Sequence, residues 1–101
     1  MLSHISLTQY ARGHLAGART TAIPLREKVE EMLAAGSEVM FDFAAVEATQ
    51  SFVDELLGAL ILRHGPDILG RLIFKSCSDD VRAIIKFVAA DRCDQYITHF
   101  H

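Results

Sequence analysis

Residues 39–58 read VMFDFAAVEATQSFVDELLG, and this stretch decides the fold. Its first part, residues 39–43, is an apolar run interrupted only by Asp42, which is typical of a central parallel strand covered on both faces. A loop over residues 44–50 follows. Ser51, a residue type preferred at helix N-caps, then opens a helix that ends before Gly65. The apolar stripe of this helix consists of Val53, Leu56, Leu57, Leu60 and Ile61. The stretch therefore predicts a strand, a loop and a helix packed on the sheet.

The part of the chain before this stretch carries a strand signal and then a helix signal. Apolar and polar residues alternate over residues 2–7, which predicts a short first strand. Thr20 or Thr21 can cap an amphipathic helix, with Pro24 in its first turn and Gly36 as a left-handed residue at its end. The apolar face of this helix consists of Leu25, Val29, Met32 and Leu33.

The part of the chain after the stretch repeats the same order. Residues 70–74 predict a second short buried strand, and Ser76 or Ser78 then caps a last helix. The core face of that helix consists of Val81, Ile84, Ile85 and Val88. Strand and helix signals thus alternate along the chain, which predicts an α/β fold with a mixed, mostly parallel sheet and helices packed against it.

Size and composition are those of one small globular domain. The chain has 101 residues, of which 50% are hydrophobic and 23% are charged, and its net charge is -3. Because no basic block longer than a residue pair occurs, neither nucleic acid nor a membrane surface is predicted as a partner. The chain shows no membrane-spanning run and no secretion signal, and its two cysteines are expected to be reduced, so a cytoplasmic location is predicted.

Asp42 lies near the carboxyl end of the predicted central strand. In open α/β sheets the binding crevice lies beyond the carboxyl ends of the strands, so Asp42 is a candidate binding residue. Its carboxylate can equally accept backbone N–H groups of the following loop. The sequence leaves both interpretations open.

The start of the central helix carries the second group of candidates. Ser51 can act as the N-cap, with Asp54 in the position of a capping-box acid. Asp54 and Glu55 also lie near the positive end of the helix dipole. Adjacent helical residues point about 100° apart, so these two acids are not expected to converge on one substrate atom.

No catalytic residue, cofactor or metal site is predicted. The chain lacks a Gly-rich phosphate loop, a cluster of metal ligands and a nucleophile–base pair. His14 is interpreted as a solvated residue within a turn or short strand over residues 8–17. Cys77 follows a strand near a helix start, where a thiol pKa can fall, but without a companion base it is interpreted as a packing thiol. His99 and His101 have a spacing that is poor for chelation from a helix.

The residues described so far resemble the STAS-like domain family, the small α/β fold of bacterial anti-sigma-factor antagonists. The chain is most similar to the branch of that family whose function is unknown. The likeness is carried by Arg19 at the opening of the first helix, Asp42-Phe43, Val46, Ser51-Phe52-Val53-Asp54-Glu55-Leu56, and Phe74-Lys75-Ser76-Cys77-Ser78-Asp79-Asp80-Val81. It covers about residues 5–92, so we expect one STAS-like domain over residues 1–101 with residues 93–101 as a terminal helix or tail.

The resemblance also implies a site. In the anti-sigma-factor antagonists, a GHKL-type ATPase phosphorylates a serine at the start of the helix after the central strand, and this abolishes partner binding. Ser51 falls on that serine, and Thr49 is a secondary candidate. Gln50 stands where the family has Asp, and Phe52 and Val53 stand where it has small residues, so the chain departs from the pattern that such kinases read.

The function implied by the resemblance is a non-catalytic regulatory module. It would bind a protein partner, such as a GHKL-type ATPase, and be switched by phosphorylation at Ser51. The expected contact residues are Asp42, Val46, Gln50, Ser51, Phe52, Asp54 and Glu55. A phosphate adds about -1.5 to -2 charges at pH 7, and Asp54 and Glu55 are expected to repel it.

Two further expectations stand beside this one. The alternative function is a sensor domain that binds a small molecule or nucleotide at the loop after the central strand. An exposed edge strand near the N-terminus would allow a homodimer by sheet extension, and the sequence does not decide the oligomeric state.

Overall fold

A three-stranded parallel sheet forms the centre of the molecule. The computed structural model describes residues 1–100, apart from the side chain of Phe100. Strand β3 (Glu38–Asp42) lies between β1 (Leu2–Ser6) and β5 (Leu72–Lys75), and both neighbours run parallel to it. The apolar run over residues 39–43 thus coincides with the central strand to within one residue at each end. The predicted small α/β fold with a mostly parallel sheet is confirmed.

A second, two-stranded sheet lies beside the first. Strand β2 (Leu15–Ala16) pairs in parallel with β4 (Glu47–Ala48), and the N–H of Glu47 donates to the carbonyl oxygen of His14 at 2.7 Å. The segment predicted as a loop over residues 44–50 therefore contains a strand. This pairing fastens the loop after β3 to the segment that leads into the first helix.

Helix α1 (Arg19–Ala34) begins earlier than its capping signals indicate. Its N-cap is Ala18, which provides no side-chain cap. The capping role predicted for Thr20 or Thr21 is therefore wrong, and Pro24 lies inside the helix beyond the first turn. Only Gly17 and Ala18 separate the end of β2 from the first residue of the helix, so the helix begins before either threonine.

The C-terminal end of α1 follows its sequence signal. Gly36 has a φ of 88°, and its N–H donates to the carbonyl oxygen of Leu33 at 3.0 Å. The N–H of Ser37 donates to the carbonyl oxygen of Met32, also at 3.0 Å. This pair of bonds is a Schellman motif, so the predicted left-handed end is confirmed. The buried face consists of Ala22, Leu25, Val29 and Leu33.

The central helix is one rod with a π-helical turn in its middle. It consists of α2 (Gln50–Val53), the π turn (Asp54–Gly58) and α3 (Ala59–His64), which we call the helical rod. The rod ends before Gly65, whose φ is 90°. Its predicted apolar stripe is buried throughout. The sequence predicts this helix and the residue at which it ends, but it does not predict the π turn.

A 3₁₀ segment (Pro66–Arg71) follows the rod and leads into β5. Helix α4 (Asp79–Phe100) then closes the fold, and Ser78 caps it by accepting the N–H of Val81 at 3.2 Å. Of the two predicted caps, Ser78 is the one used. Residues 93–100 continue α4 without a break.

The helices cover one face of the central sheet. On that face lie the almost fully buried side chains of Ile5, Val39, Phe41 and Leu72. On the opposite face Leu2 is 37% exposed, Ile73 is 42% exposed, and Met40 on the central strand is half-buried. The expected coverage on both faces is therefore wrong, because alternate residues of β3 point to the open side.

Candidate functional site

Thr49 caps the helical rod. Its Oγ1 accepts the backbone N–H of Phe52 at 3.2 Å. The N-cap role predicted for Ser51 is therefore wrong, and so is the capping box with Asp54. The cause lies in β4, since its pairing with β2 keeps the backbone extended through Thr49, at φ -84° and ψ 161°, and the helix begins directly after it.

Thr49 also ties the rod to the segment before α1. Its hydroxyl donates to the carbonyl oxygen of Gly17 at 3.1 Å, and its N–H donates to that of Ala16 at 3.1 Å. A Cβ atom on Gly17 would approach Cγ2 of Thr49 to 3.3 Å, so the backbone of Gly17 packs closely against the Thr49 side chain. The hydroxyl of Thr49 is thus engaged as both donor and acceptor, which leaves it less suited to modification than a free hydroxyl.

Ser51 has the opposite environment. It is the second residue of the rod and is exposed, as is Gln50 before it. Within residues 1–100, its hydroxyl forms no hydrogen bond. The hydroxyl of Ser51 is therefore open to solvent and has no structural role in capping the helix.

The two acids after Ser51 are neutralised by arginines of different helices. Asp54 Oδ1 accepts a hydrogen bond from Arg92 Nη2 of α4 at 2.9 Å. Glu55 faces α1, with Oε1 3.7 Å from Arg19 Nη1 and Oε2 3.8 Å from Arg26 Nε. The expectation that both carboxylates repel a phosphate on Ser51 is therefore revised, because each has a cationic partner.

A second ionic cluster joins α1 to the far end of the rod. Glu30 accepts hydrogen bonds from Arg26 at 3.0 Å, Arg63 at 2.9 Å and His64 at 2.7 Å. Burial raises the pKa of Glu30, but the hydrogen bonds from His64 and Arg63 and the charges of Arg63 and Arg26 outweigh it, so the pKa lies below its usual value. Of this cluster, only the spacing of Arg26 and Glu30 could have been noticed in the sequence.

Val46 and Phe52 lie in the core. Only 2% of Val46 and 0% of Phe52 is exposed. Neither side chain is available on the surface that the sequence assigned to a partner. The other predicted contact residues are at least partly accessible, and their contact with a partner stays a prediction: Asp42, Gln50, Ser51, Asp54 and Glu55.

Asp42 stabilises the turn after β3. Its Oδ1 accepts the N–H of Ala44 at 2.9 Å, which is the loop-acceptor role left open by the sequence. Ala45 has a φ of 60°, and its carbonyl oxygen accepts a hydrogen bond from Nδ1 of His14 at 3.2 Å. His14 therefore supports this turn. A residue of positive φ also follows β5, where Ser76 has a φ of 59°.

The remaining candidates show no reactive or metal-binding arrangement. Burial raises the pKa of the Cys77 thiol even though the charge of Arg82 lowers it, so Cys77 is not activated as a nucleophile. In the described part of the chain, no group of His, Cys, Asp and Glu is arranged to hold a metal ion. His101, one of the two C-terminal histidines, lies outside the described residues. No helix within residues 1–100 has both the length and the apolar character needed to cross a bilayer.

A cavity of about 540 Å³ lies beside the start of α1. Among its lining residues are Tyr10, Arg12, Thr20 and Thr21, which provide hydroxyl groups and one guanidinium. The cavity does not coincide with the loop after β3, where the sequence placed a ligand. It is nevertheless close to that loop, since Gly17 of its lining contacts Thr49.

Comparison with known families places the chain in a family of STAS-like domains. The model of the STAS-like domain of unknown function (DUF4325) matches residues 21–82, which is more than half of the chain. The matched region runs from the first turn of α1 through β3, the helical rod and β5 into the start of α4. No curated protein and no solved structure matches the chain.

Proposed function

The chain belongs to the STAS-like domain family of unknown function, and from this premise we propose that it is a non-catalytic regulatory module that binds a protein partner. Phosphorylation of Ser51 switches the binding. The partner that the resemblance suggests is a GHKL-type ATPase. The role of the family's members is not known, so the proposal rests on the site of this chain.

One observation carries the proposal, which is the free hydroxyl of Ser51 beside the occupied hydroxyl of Thr49. Because Thr49 caps the rod, a phosphate can be added to Ser51 without removing a cap. The neighbouring carboxylates of Asp54 and Glu55 already have arginine partners. A phosphate of about -1.5 to -2 charges therefore changes the surface potential and leaves the fold intact.

The same geometry supports a binding role over a catalytic one. Asp54 faces α4 through Arg92, whereas Glu55 faces α1 through Arg19 and Arg26. The two carboxylates thus point to different helices. A general acid and a general base acting on one substrate would have to point to one place.

A phosphorylation assay tests the site. The GHKL-type ATPase encoded nearest to this chain's gene would be incubated with the purified chain and ATP, and the modified residue would be located by mass spectrometry. We expect a phosphate on Ser51 and none after Ser51→Ala. Modification of Thr49, or no modification, would count against the proposal.

A binding assay tests the switch. The same ATPase would be titrated with the native chain, with Ser51→Asp and with Thr98→Asp as a control, since Thr98 is an exposed hydroxyl residue near the end of α4. We expect Ser51→Asp to weaken binding at least about tenfold, which corresponds to about 1.4 kcal/mol. Equal binding by all three chains would contradict the switch.

The cavity beside α1 favours a second candidate function, a small-molecule sensor. Its volume of about 540 Å³ is within the range of ligand pockets, and Arg12, Tyr10, Thr20 and Thr21 suit a polar or anionic ligand. A thermal-shift screen of nucleotides and small carboxylates tests this function. A ligand that raises the Tm of the native chain and not that of Arg12→Ala would support it, whereas a flat response would exclude the ligands screened.

A further inference from the structure

We propose that Arg19 senses the phosphorylation of Ser51, in that its guanidinium leaves Glu55 and binds the phosphate. This inference rests on the phosphorylation proposed above. Arg19 reaches the phosphate because α1 packs against the helical rod.

Arg19 and Ser51 lie at the same end of two adjacent helices. Thr49 binds Gly17, so α1 and the rod start next to each other. Farther along, Glu30 of α1 meets Arg63 of the rod, which means that the two helices run in the same direction. The first turn of α1 therefore lies beside the first turns of the rod.

Glu55 shows on which side of the rod Arg19 lies. It is four residues after Ser51, a spacing that places two side chains on neighbouring parts of one helical face. Because Arg19 already contacts Glu55, its guanidinium lies beside the face that carries Ser51. A longer phosphoserine side chain at position 51 comes within reach of this guanidinium.

The present contact of Arg19 is weak. The 3.7 Å between Nη1 of Arg19 and Oε1 of Glu55 is too long for a hydrogen bond, and the Arg19 side chain is 55% exposed. Exposed pairs of this kind contribute little to stability. A phosphate offers the guanidinium a higher charge and three acceptor oxygens, so it competes successfully with Glu55.

Glu55 does not lose its only partner in this exchange. Arg26 Nε lies 3.8 Å from Oε2 of Glu55, and this buried N–H has no hydrogen-bond acceptor within residues 1–100. When Arg19 leaves, Glu55 can approach Arg26 and supply that acceptor. The exchange therefore satisfies a buried donor and leaves no charge unpaired.

Phosphoserine incorporated at position 51 during synthesis of the full chain allows a direct test by ³¹P NMR titration. With Arg19 present, we expect the second pKa of the phosphate to lie below its usual value of about 6, and Arg19→Gln to raise it by about 0.5. Arg19→Lys, which keeps the charge without the forked donors, should restore part of the difference. The other charged groups near Ser51, namely Glu55, Arg26 and the Asp54–Arg92 pair, are the same in all these chains.

Arg63→Gln is the matched control. Arg63 is also an exposed arginine paired with a glutamate beside the rod, and it lies about 18 Å along the helix axis from Ser51. At physiological salt this distance exceeds the screening length of about 8 Å, so its removal should leave the phosphate pKa unchanged. Circular dichroism would establish that each variant is folded.

Two results would overturn the role of Arg19. One is an equal phosphate pKa in the native and Arg19→Gln chains, and the other is an equal change with Arg63→Gln. If a phosphate on Ser51 leaves the affinity for the ATPase unchanged, the proposed switch is refuted. The titration result would not be affected. The two proposals therefore fail in different experiments.

Discussion

Thr49 and Ser51 are two residues apart and carry similar hydroxyl groups in very different environments. The hydroxyl of Thr49 joins Gly17 to the first turn of the rod. That of Ser51 faces solvent. Helix capping thus belongs to Thr49, so the modification proposed at Ser51 would leave the cap in place.

Substitution of the two residues separates these roles. Thr49→Ala should lower the free energy of unfolding by about 1–2 kcal/mol, because it removes the cap and the bond to Gly17. Thr49→Ser should retain most of that stability, and Ser51→Ala should stay within about 0.5 kcal/mol of the native chain. Urea denaturation measures all three. A loss for Ser51→Ala as large as that for Thr49→Ala would contradict the cap assignment.

Glu30 should make the stability depend on pH. Because its pKa is lowered in the folded state, it stabilises the fold above the pKa of an unfolded glutamate, and this stabilisation is lost as the pH falls through the folded-state pKa. Glu30→Gln should therefore lower Tm at pH 7, and the difference from the native chain should shrink toward pH 3. Glu31→Gln is the control, since Glu31 is exposed and has no ion pair within the described residues. A pH-independent difference for Glu30→Gln would contradict the assignment.

The candidate site shows which structural features can be predicted from the sequence alone. The sequence predicts the central strand and the helix that follows it, because apolar periodicity is a local signal, whereas the role of Ser51 stays a prediction. It does not distinguish Thr49 from Ser51 as the cap, since that depends on where β4 pairs with β2. It also does not predict that Glu55 faces Arg19 and Arg26, because those contacts depend on how two helices pack.

Among the helices and strands, helix ends follow their sequence signals more closely than helix starts. Gly36 and Gly65 have positive φ angles and end α1 and the helical rod. The conformational freedom of glycine is intrinsic, so it acts at the same place in any fold. A helix start has no such fixed signal: α1 begins after Ala18 without a side-chain cap, and the rod uses Thr49 in place of Ser51.

Substitution of Gly36 tests whether the conformational freedom of glycine fixes the end of α1. Gly36→Ala should cost about 1 kcal/mol, because alanine must adopt a φ of 88° although its Cβ would meet no other atom. Gly70→Ala is the control, since its Cβ also meets nothing and its φ is not positive. Thermal unfolding should show a lower Tm for Gly36→Ala only. Equal Tm values would mean that the left-handed end does not limit this position.

The molecule as a whole has a covered and an open side of its central sheet. The apolar run 39–43 predicts the strand but overstates its burial, since strand composition does not reveal where the helices pack. Phe41 stacks on Phe74 at 5.3 Å within the sheet, whereas Met40 on the other face is half-buried. The parallel central sheet could therefore be predicted, but neither the second sheet of β2 and β4 nor the side on which the central sheet meets solvent could.

Adjacent residues of β5 test this asymmetry. Leu72→Ala should cost about 2–4 kcal/mol because it leaves a cavity on the helix side, where Leu72 is 7% exposed. Ile73→Ala, on the open side, should cost less than about 1 kcal/mol. Chemical denaturation of both variants gives the comparison. Similar losses would indicate that something covers the open face in solution.

The two-stranded sheet has a consequence for how the molecule fluctuates. It has only two residue pairs, Leu15 with Glu47 and Ala16 with Ala48, and it joins segments that are far apart in the chain. Such a small non-local unit opens at a lower free energy than the core strands do. In hydrogen–deuterium exchange, the amides of Glu47 and Thr49 should therefore exchange before those of β3. Because Thr49 directly follows β4, we expect the cap of the helical rod to open with this sheet, so the surface around Ser51 should be less protected than β3.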